Sequence, residues 1–374
     1  MSSREIQVVS GAVIAYRLFD IADTIDLTKA EELWTQQQIS SAVTRGRLVS
    51  APPKALAFGV APLDISLETV AVRLGDAEVR AEASARLYVF GVARLALRFS
   101  ADNLSWGDFT RRLNAVDQVV GPASGSDIWK GLLDQVLATF RAALVKPPPT
   151  MLEEDYLIGV VRAFDVALDA ETLQQRIDLV PLLSGEDRPL SEGARRELLR
   201  QRFSYYTDDL VVLTWDRAFI HEPRGDSDVM DVLDVANARL LEMRYYDQLL
   251  RTELPRMYDL VEATQRARPL LGSRRFANLA RRLYMLVAEV TEVREKVDNA
   301  LQVTEDVYLA RIYASALDLF RVAAVSASVE RKLAMIRDTY AALYEEASAG
   351  RAALMETAIV VLIVVEIVLV FVHP

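Results

Sequence analysis

The feature that most constrains this chain is its apolar end. Residues 352–372 read AALMETAIVVLIVVEIVLVFV. At 1.5 Å rise per residue such a helix is about 30 Å long, the thickness of a bilayer's hydrocarbon core. Val and Ile fill it on every side, a composition suited to lipid. The alternative is a buried helix of a water-soluble protein, because Glu356 and Glu366 interrupt the run. Arg331, Lys332, Arg337 and Arg351 precede it, and only His373 and Pro374 follow. The positive-inside rule then places the bulk of the chain in the cytoplasm, single-pass at the inner membrane and tail-anchored. No secretory signal is read at the N-terminus: the Val8–Tyr16 stretch is too broken for one and reads as a strand. An ionised Glu366 is costly in such a run. Three readings stand: a protonated side chain bonded to its own helix or snorkelling, a hydrogen bond across helices of an oligomer, or a lining of an ion path.

Composition closes several routes. There is no Cys, and His221 and His373 are the only histidines. That removes disulfides, thiolate metal sites, a Cys nucleophile and His clusters. With 43 basic and 53 acidic residues the net charge is −10, which argues against general nucleic-acid binding. No Gly-x-Gly-x-x-Gly, P-loop or Gly-x-Ser-x-Gly pattern occurs, and Gly121-Pro122-Ala123-Ser124-Gly125 has the order of a turn. No enzyme and no cofactor is therefore predicted.

Ahead of the apolar run the expectation is an α+β chain: an N-terminal α/β head, then a long helical stalk. Residues 1–146 form the first unit. It has a strand over Ile6–Leu18, a helix over Thr28–Ser40 capped by Thr28 with Glu31, and a break at Ala51–Pro53. Alternating segments follow at Thr69–Leu74, Glu78–Ala83 and Arg86–Phe99, with Gly75-Asp76 as a turn. Helices fit Ser105–Val116 and Ser126–Leu144. Lys146-Pro147-Pro148-Pro149 reads as a linker. Residues 147–226 form the second unit, with strands at Tyr156–Phe164, Phe203–Asp208 and Leu210–Ile220 and helices at Ala170–Ile177 and Ser191–Arg202. The shared Phe19-Asp20 and Phe164-Asp165 strand ends suit a duplicated unit of period near 145 residues, or two independent strands.

Residues 227–351 read as helices with three-four apolar spacing. One seam is Ala236, Leu240, Met243, Asp247, Leu250, Leu254, Met257, Val261. A second runs from Phe276 to Val297, and a third from Val329 through Leu333, Ile336 and Tyr340 to Leu354. Pro269 and Gly272 break the run, and Thr304–Asp306 caps the next helix. The seams fit helices packed within one chain or a homo-oligomer joined along a coiled-coil stalk.

Three stretches resemble the "required for meiotic nuclear division" family, a domain of unknown function: 236–249 (ANARLLEMRYYDQL), 281–308 (RRLYMLVAEVTEVREKVDNALQVTEDVY) and 356–371 (ETAIVVLIVVEIVLVF), whose two glutamates ten apart are shared. Thr357 and Glu305 stand where that family usually has Trp and Pro, and an Asn near Val329–Leu333 is missing. The resemblance implies a divergent bacterial inner-membrane protein, with ribosome tethering as a loosely implied role and no enzymatic activity.

Candidate contact residues are few. Arg266, Arg268, Arg274, Arg275, Arg281 and Arg282 occur with no acid between Glu262 and Glu289. Guanidinium forks suit phosphate, so ribosomal RNA or anionic lipid headgroups fit this stretch as a partner, while a solvated face, or pairing with acids elsewhere in the fold, is the leading reading. A second cluster, Arg188, Arg195, Arg196, Arg200 and Arg202, is diluted by Glu192 and Glu197. Asp208-Asp209, Asp226, Asp228 and Asp231 are spaced to approach a hard cation, but their place at a turn and a helix start accounts for them. The function expected is a membrane-tethered scaffold. The alternatives are a ligand-sensing or enzymatic head with a pocket near His221, Trp215 and Asp208-Asp209, and an oligomeric membrane assembly.

Overall fold

A computed structural model describes residues 5–37, 43–45, 56–58, 60–122, 124, 127–148, 150–186, 188–225, 228–265, 301–303 and 306–372, with isolated positions from 278 to 291. In chain order the strands are β1 (Gln7–Asp20), β2 (Thr24–Ile25), β3 (Val43–Arg45), β4 (Leu56–Phe58), β5 (Leu63–Ser66), β6 (Val70–Leu74), β7 (Ala77–Leu87), β8 (Val92–Ser100), β9 (Leu104–Ser105), β10 (Leu144–Val145), β11 (Glu153–Phe164), β12 (Gln201–Phe203), β13 (Leu210–Leu213), β14 (Arg217–His221) and β15 (Leu301–Val303). The helices are α1 (Leu27–Gln37), α2 (Trp106–Val120), α3 (Asp127–Phe140), α4 (Ala170–Arg176), α5 (Val180–Ser184), α6 (Glu192–Leu198), α7 (Val229–Gln265), α8 (Val307–Leu319) and α9 (Val322–Val372).

Contacts divide the chain into two compact units. One comprises Met1–Glu242 with Lys296–Ala323, the other Met243–Glu295 with Ala324–Pro374. The first is built on a mostly antiparallel sheet of order β12-β13-β14-β11-β1-β8-β7-β5-β3, with β6 on β7 and β9 on β1. β1 is central because alternation makes both its faces buryable. Val13, Ala15 and Phe19 join the core shared with Phe109 and Leu113 of α2. On the other face Tyr16 accepts from Asn237 Nδ2 of α7 at 3.0 Å, and its cross-strand neighbour Tyr156 meets the Phe320 ring edge-on at 5.5 Å.

The two expected α/β units contribute to this one sheet, because β1 and β11 pair antiparallel from Phe19↔Glu153 to Val8↔Phe164. Their outer neighbours differ: β8 is antiparallel to β1, whereas β14 is parallel to β11. Strict duplication would have made them alike. Several expected bounds move for local reasons. The helix start near Thr28 is capped two residues earlier, by Asp26 Oδ1 on the Lys29 amide at 3.0 Å. The Arg86–Phe99 stretch is two strands joined by a turn at Tyr88–Gly91, where Gly91 takes φ +95°. Leu210–Ile220 is a hairpin, β13 and β14, closed by Thr214 Oγ1 accepting from the Arg217 amide at 3.0 Å. Of Phe203–Asp208 only Phe203 is in a strand, and the Ser191 helix stops at Leu198. The Gly75-Asp76 turn and the Ser191 and Asp306 caps stand where expected, and the helix expected from Ser105 has that residue as its N-cap. The Ala51–Pro53 break, the Pro269–Gly272 break and most of the 276–297 seam lie outside the described residues.

The second unit is helical. On its part of α7, Met243, Asp247, Leu250, Leu254 and Met257 are buried, as are Val329, Leu333 and Ile336 on α9. These seam positions reach burial within a single chain. Asp247, the polar member, accepts from Lys332 Nζ and from Arg251 Nη2 at 2.9 Å. Burial opposes its charge, but the donors from Lys332, Ser328 and Arg251 win and hold the carboxyl at about 2. α9 continues unbroken through residues 352–372. Among the described residues no single helix is long and apolar enough to cross a membrane. The bent pair Val307–Leu319 and Val322–Ala342, at 63°, passes by length and composition alone. Most α9 side chains beyond Ala342 lie outside the described residues.

Candidate functional site

The arginine-rich stretch after residue 170 folds into a cleft of about 370 Å³. Asp169 caps α4 through the Thr172 amide at 2.7 Å, and Ser191 caps α6 through the Ala194 amide at 3.3 Å. These short helices face β12 and β13. Ile177, Leu179 and Val212 are buried apolar side chains in its lining. Arg176, Arg195 and Arg202 supply its cationic groups, and Asp178 is the single acid lining it.

Asp178 is already committed. Its Oδ1 accepts from the Val180 amide at 3.1 Å and from Arg195 Nη2 at 3.1 Å, and its Oδ2 accepts from Arg195 Nη1 at 3.3 Å. Arg202 Nη1 donates to the neutral amide oxygen of Gln174 at 2.9 Å. The Gln174 amide nitrogen donates to the Ala170 carbonyl at 2.9 Å, which fixes that oxygen toward Arg202. Arg176 has no hydrogen-bond or ion-pair partner among the described residues.

Arg217 holds this region to the sheet. It is buried on β14 and donates to Asn114 Oδ1 (2.7 Å), the Leu182 carbonyl (2.8 Å) and Asp117 Oδ2 (2.6 Å), so one guanidinium ties α2 and α5 to β14. Arg17, 6 % exposed at its side chain, similarly donates to the Gly121 carbonyl at 2.9 Å. Gly121 thus ends α2 and accepts an arginine rather than cradling a ligand. Burial raises the neighbouring carboxyl of Asp155 to about 6, against the pull of Arg17, and raises Asp216 as well.

A further charge network lies under α7. One register row carries Asp64, Arg86, Arg94, Leu18 and Glu154 across β5, β7, β8, β1 and β11. Above it the i, i+3, i+6 positions Asp231, Asp234 and Asn237 share one helix face. Arg86 pairs with Asp64 (2.6 Å) and Asp231, and Arg94 lies 2.9 Å from Asp234. Burial raises the Asp234 carboxyl to about 6 despite Arg94 and Arg86. Asp231, spaced in the sequence to approach a cation, is therefore an arginine partner, and Asp226 lies outside the described residues. Among the described residues no group of three His, Asp or Glu is placed to hold a metal ion.

The residues suggested for a head pocket do not converge. His221 is buried, with Nδ1 3.0 Å from the Val161 carbonyl, and burial lowers its pKa. Asp209 accepts from the Tyr205 and Tyr206 amides and closes the turn beside it. Trp215, 70 % exposed, sits at the opposite end of the hairpin. Of the 266–282 arginines only Arg281 is described, helical and exposed; Arg266, Arg268, Arg274, Arg275 and Arg282 lie outside the described residues. Glu356 is an exposed helical residue, and the Glu366 side chain lies outside them. Sequence reasoning named Arg195 and Arg202 but missed Arg176 and the role of Asp178, because the cleft closes only when α4 and α6 meet β12 and β13. No side-chain pair in this cleft combines a nucleophile with a base.

The family described as "Uncharacterized protein MJ0711, N-terminal domain" matches residues 10–228, ending one residue before α7 begins. The uncharacterized protein MJ0711 of Methanocaldococcus jannaschii is 28% identical over 192 residues, covering 51% of this chain and 58% of the relative. The chain thus spans less than two thirds of that relative's length. No solved structure matches.

Proposed function

We propose that this chain, which belongs to the MJ0711 N-terminal domain family, is a non-enzymatic scaffold attached by the end of α9 to the cytoplasmic face of a membrane. One observation carries the reading. Ile359, Val360, Val361, Leu362 and Ile363 are all 49–67% exposed. At about 100° per residue, five consecutive positions go right round a helix. A helix that serves a water-soluble core hides at least one side, whereas this one presents an apolar surface in every direction. Lipid satisfies it, with residues 352–372 as the span. The exposed Arg331 and Arg337 upstream support the cytoplasmic orientation.

The sheet unit then faces a partner. The resemblance of residues 236–371 to the meiotic-nuclear-division family favours a ribosomal one, with the 266–282 arginines as the contact. Met243 to Met257 of the α7 seam and Val329, Leu333 and Ile336 of the α9 seam are buried within one chain, so self-association falls to the exposed end of α9. Fractionation tests the reading. The full chain should pellet with membranes through a high-salt, alkaline wash, and the double variant V361K/L362K should move to the supernatant. Wild-type protein in the supernatant would remove the proposal.

A further inference from the structure

The cleft between α4, α6 and β12–β13 carries a charge that the fold does not neutralise. Three arginines line it against one acid. The Asp178 carboxylate is engaged by Arg195 and the Val180 amide, and neither Arg176 nor Arg202 bonds to it. Arg202 rests on a neutral amide oxygen, and Arg176 has no partner among the described residues. Single exposed arginines without an ion-pair partner among the described residues occur elsewhere, Arg141 and Arg188 among them, but here two such guanidinium groups line one cleft.

We propose that this cleft binds a phosphorylated small molecule carrying at least two negative charges. The volume of about 370 Å³ lies within the range of small-ligand sites, roughly 300–1,000 Å³. Guanidinium forks match the spacing of phosphate oxygens and donate in pairs. Gln174, locked by its own bond to the Ala170 carbonyl, holds the Arg202 fork in place before any ligand arrives, which reduces the ordering cost of binding. The Asp178–Arg195 pair fixes one wall and keeps a third cation at the rim. Arg176 and Arg202 are solvent-exposed, whereas Ile177, Leu179 and Val212 are the buried apolar part of the lining. They also give the non-phosphate part of the ligand an apolar seat. The site lies wholly in the sheet unit and does not depend on membrane attachment.

The test is calorimetric titration of the full detergent-solubilised chain with inorganic pyrophosphate. Saturable binding that weakens as salt rises is expected. R176Q and R202Q should each weaken it on the order of tenfold, the loss of one charge-assisted contact, and R176Q/R202Q should abolish it. The comparison is R196Q. Arg196 lies on α6 outside the cleft lining and donates to the Glu192 carbonyl, so this variant should bind within about twofold of wild type. Circular dichroism of each variant reports whether it folds. No saturable binding by folded wild-type protein overturns the proposal. Equal weakening by R196Q also does, since it would mean diffuse surface charge. Neither outcome bears on sedimentation with membranes, so the two readings fail separately.

Discussion

Asp20 gives the sharpest test of the packing around the central strand. It ends β1, is 5 % exposed, and its Oδ2 is buried without a hydrogen-bond partner among the described residues. Burial first, and the Asp23 carboxylate second, raise its pKa from 3.8 to about 7. The folded state therefore holds the proton more tightly than the unfolded chain. The stabilising contribution is full below about pH 3.8 and is lost as pH rises through about 7. The rise from 3.8 to about 7 is worth about 4 kcal/mol over the whole range, most of it between pH 5 and pH 8. Asp20→Asn keeps the shape and removes the titration. Urea unfolding of the full chain in detergent, followed by tryptophan fluorescence, should show wild type losing about 2–3 kcal/mol more than the variant between those pH values. Comparing slopes cancels the packing cost of the amide and the parallel titrations of Asp155 and Asp234, which the variant retains. Parallel slopes, agreeing within about 0.5 kcal/mol, would refute the claim that this carboxyl is buried unsolvated.

Two other perturbations probe separate parts of the fold. Gly91→Ala places a methyl 1.6 Å from the Ala22 carbonyl oxygen at φ +95°, so the turn between β7 and β8 has to be rebuilt. A loss above about 3 kcal/mol, or failure to fold, is expected in thermal melts, and a melting curve like wild type would contradict the turn geometry. Asp247→Ala strips Lys332 of its carboxylate on the helical seam, where their side chains are 13% and 16% exposed. It should cost about 3 kcal/mol in urea unfolding, with Asp247→Ala/Lys332→Met recovering most of it; a double variant no better than the single would mean that the pair is not coupled.

The elements most legible in the sequence were those whose signal is local. Apolar runs marked β1 and β11, and Ser191 and Asp306 announced their helices because a cap bonds only its own first turn. The failures share a different cause. Tyr88 and Phe90 keep the apolar look of a strand although they stand at a turn, since both rings are buried against each other at 5.1 Å. Trp215 likewise disguised the tip of a hairpin as strand interior. The five-residue α5 was missed because its start uses Pro181 and its end a left-handed Gly185, with no cap and too few residues for a period. Strand order, and the parallel β11–β14 pair above all, depends on partners some 60 residues apart that no local pattern specifies.

The candidate cleft shows the same limit in its charges. Counted along the chain, Arg195, Arg196, Arg200 and Arg202 look diluted by Glu192 and Glu197, while 266–282 looks richer because no acid interrupts it. Counted in space, neighbours in sequence matter less than who reaches whom. Asp64, Asp231 and Asp234 are consumed by Arg86 and Arg94, and Asp117 by Arg217. Glu197 bonds outward to Arg200. Asp178, the one acid that does enter the cleft, is spent on Arg195. What distinguishes Arg176 and Arg202 is therefore neither a density of arginine nor a missing ion-pair partner alone, which Arg141 and Arg188 share among the described residues, but a shortage of carboxylate at two arginines of one cleft. That shortage is a property of the folded sheet and its short helices, and a linear charge tally cannot contain it.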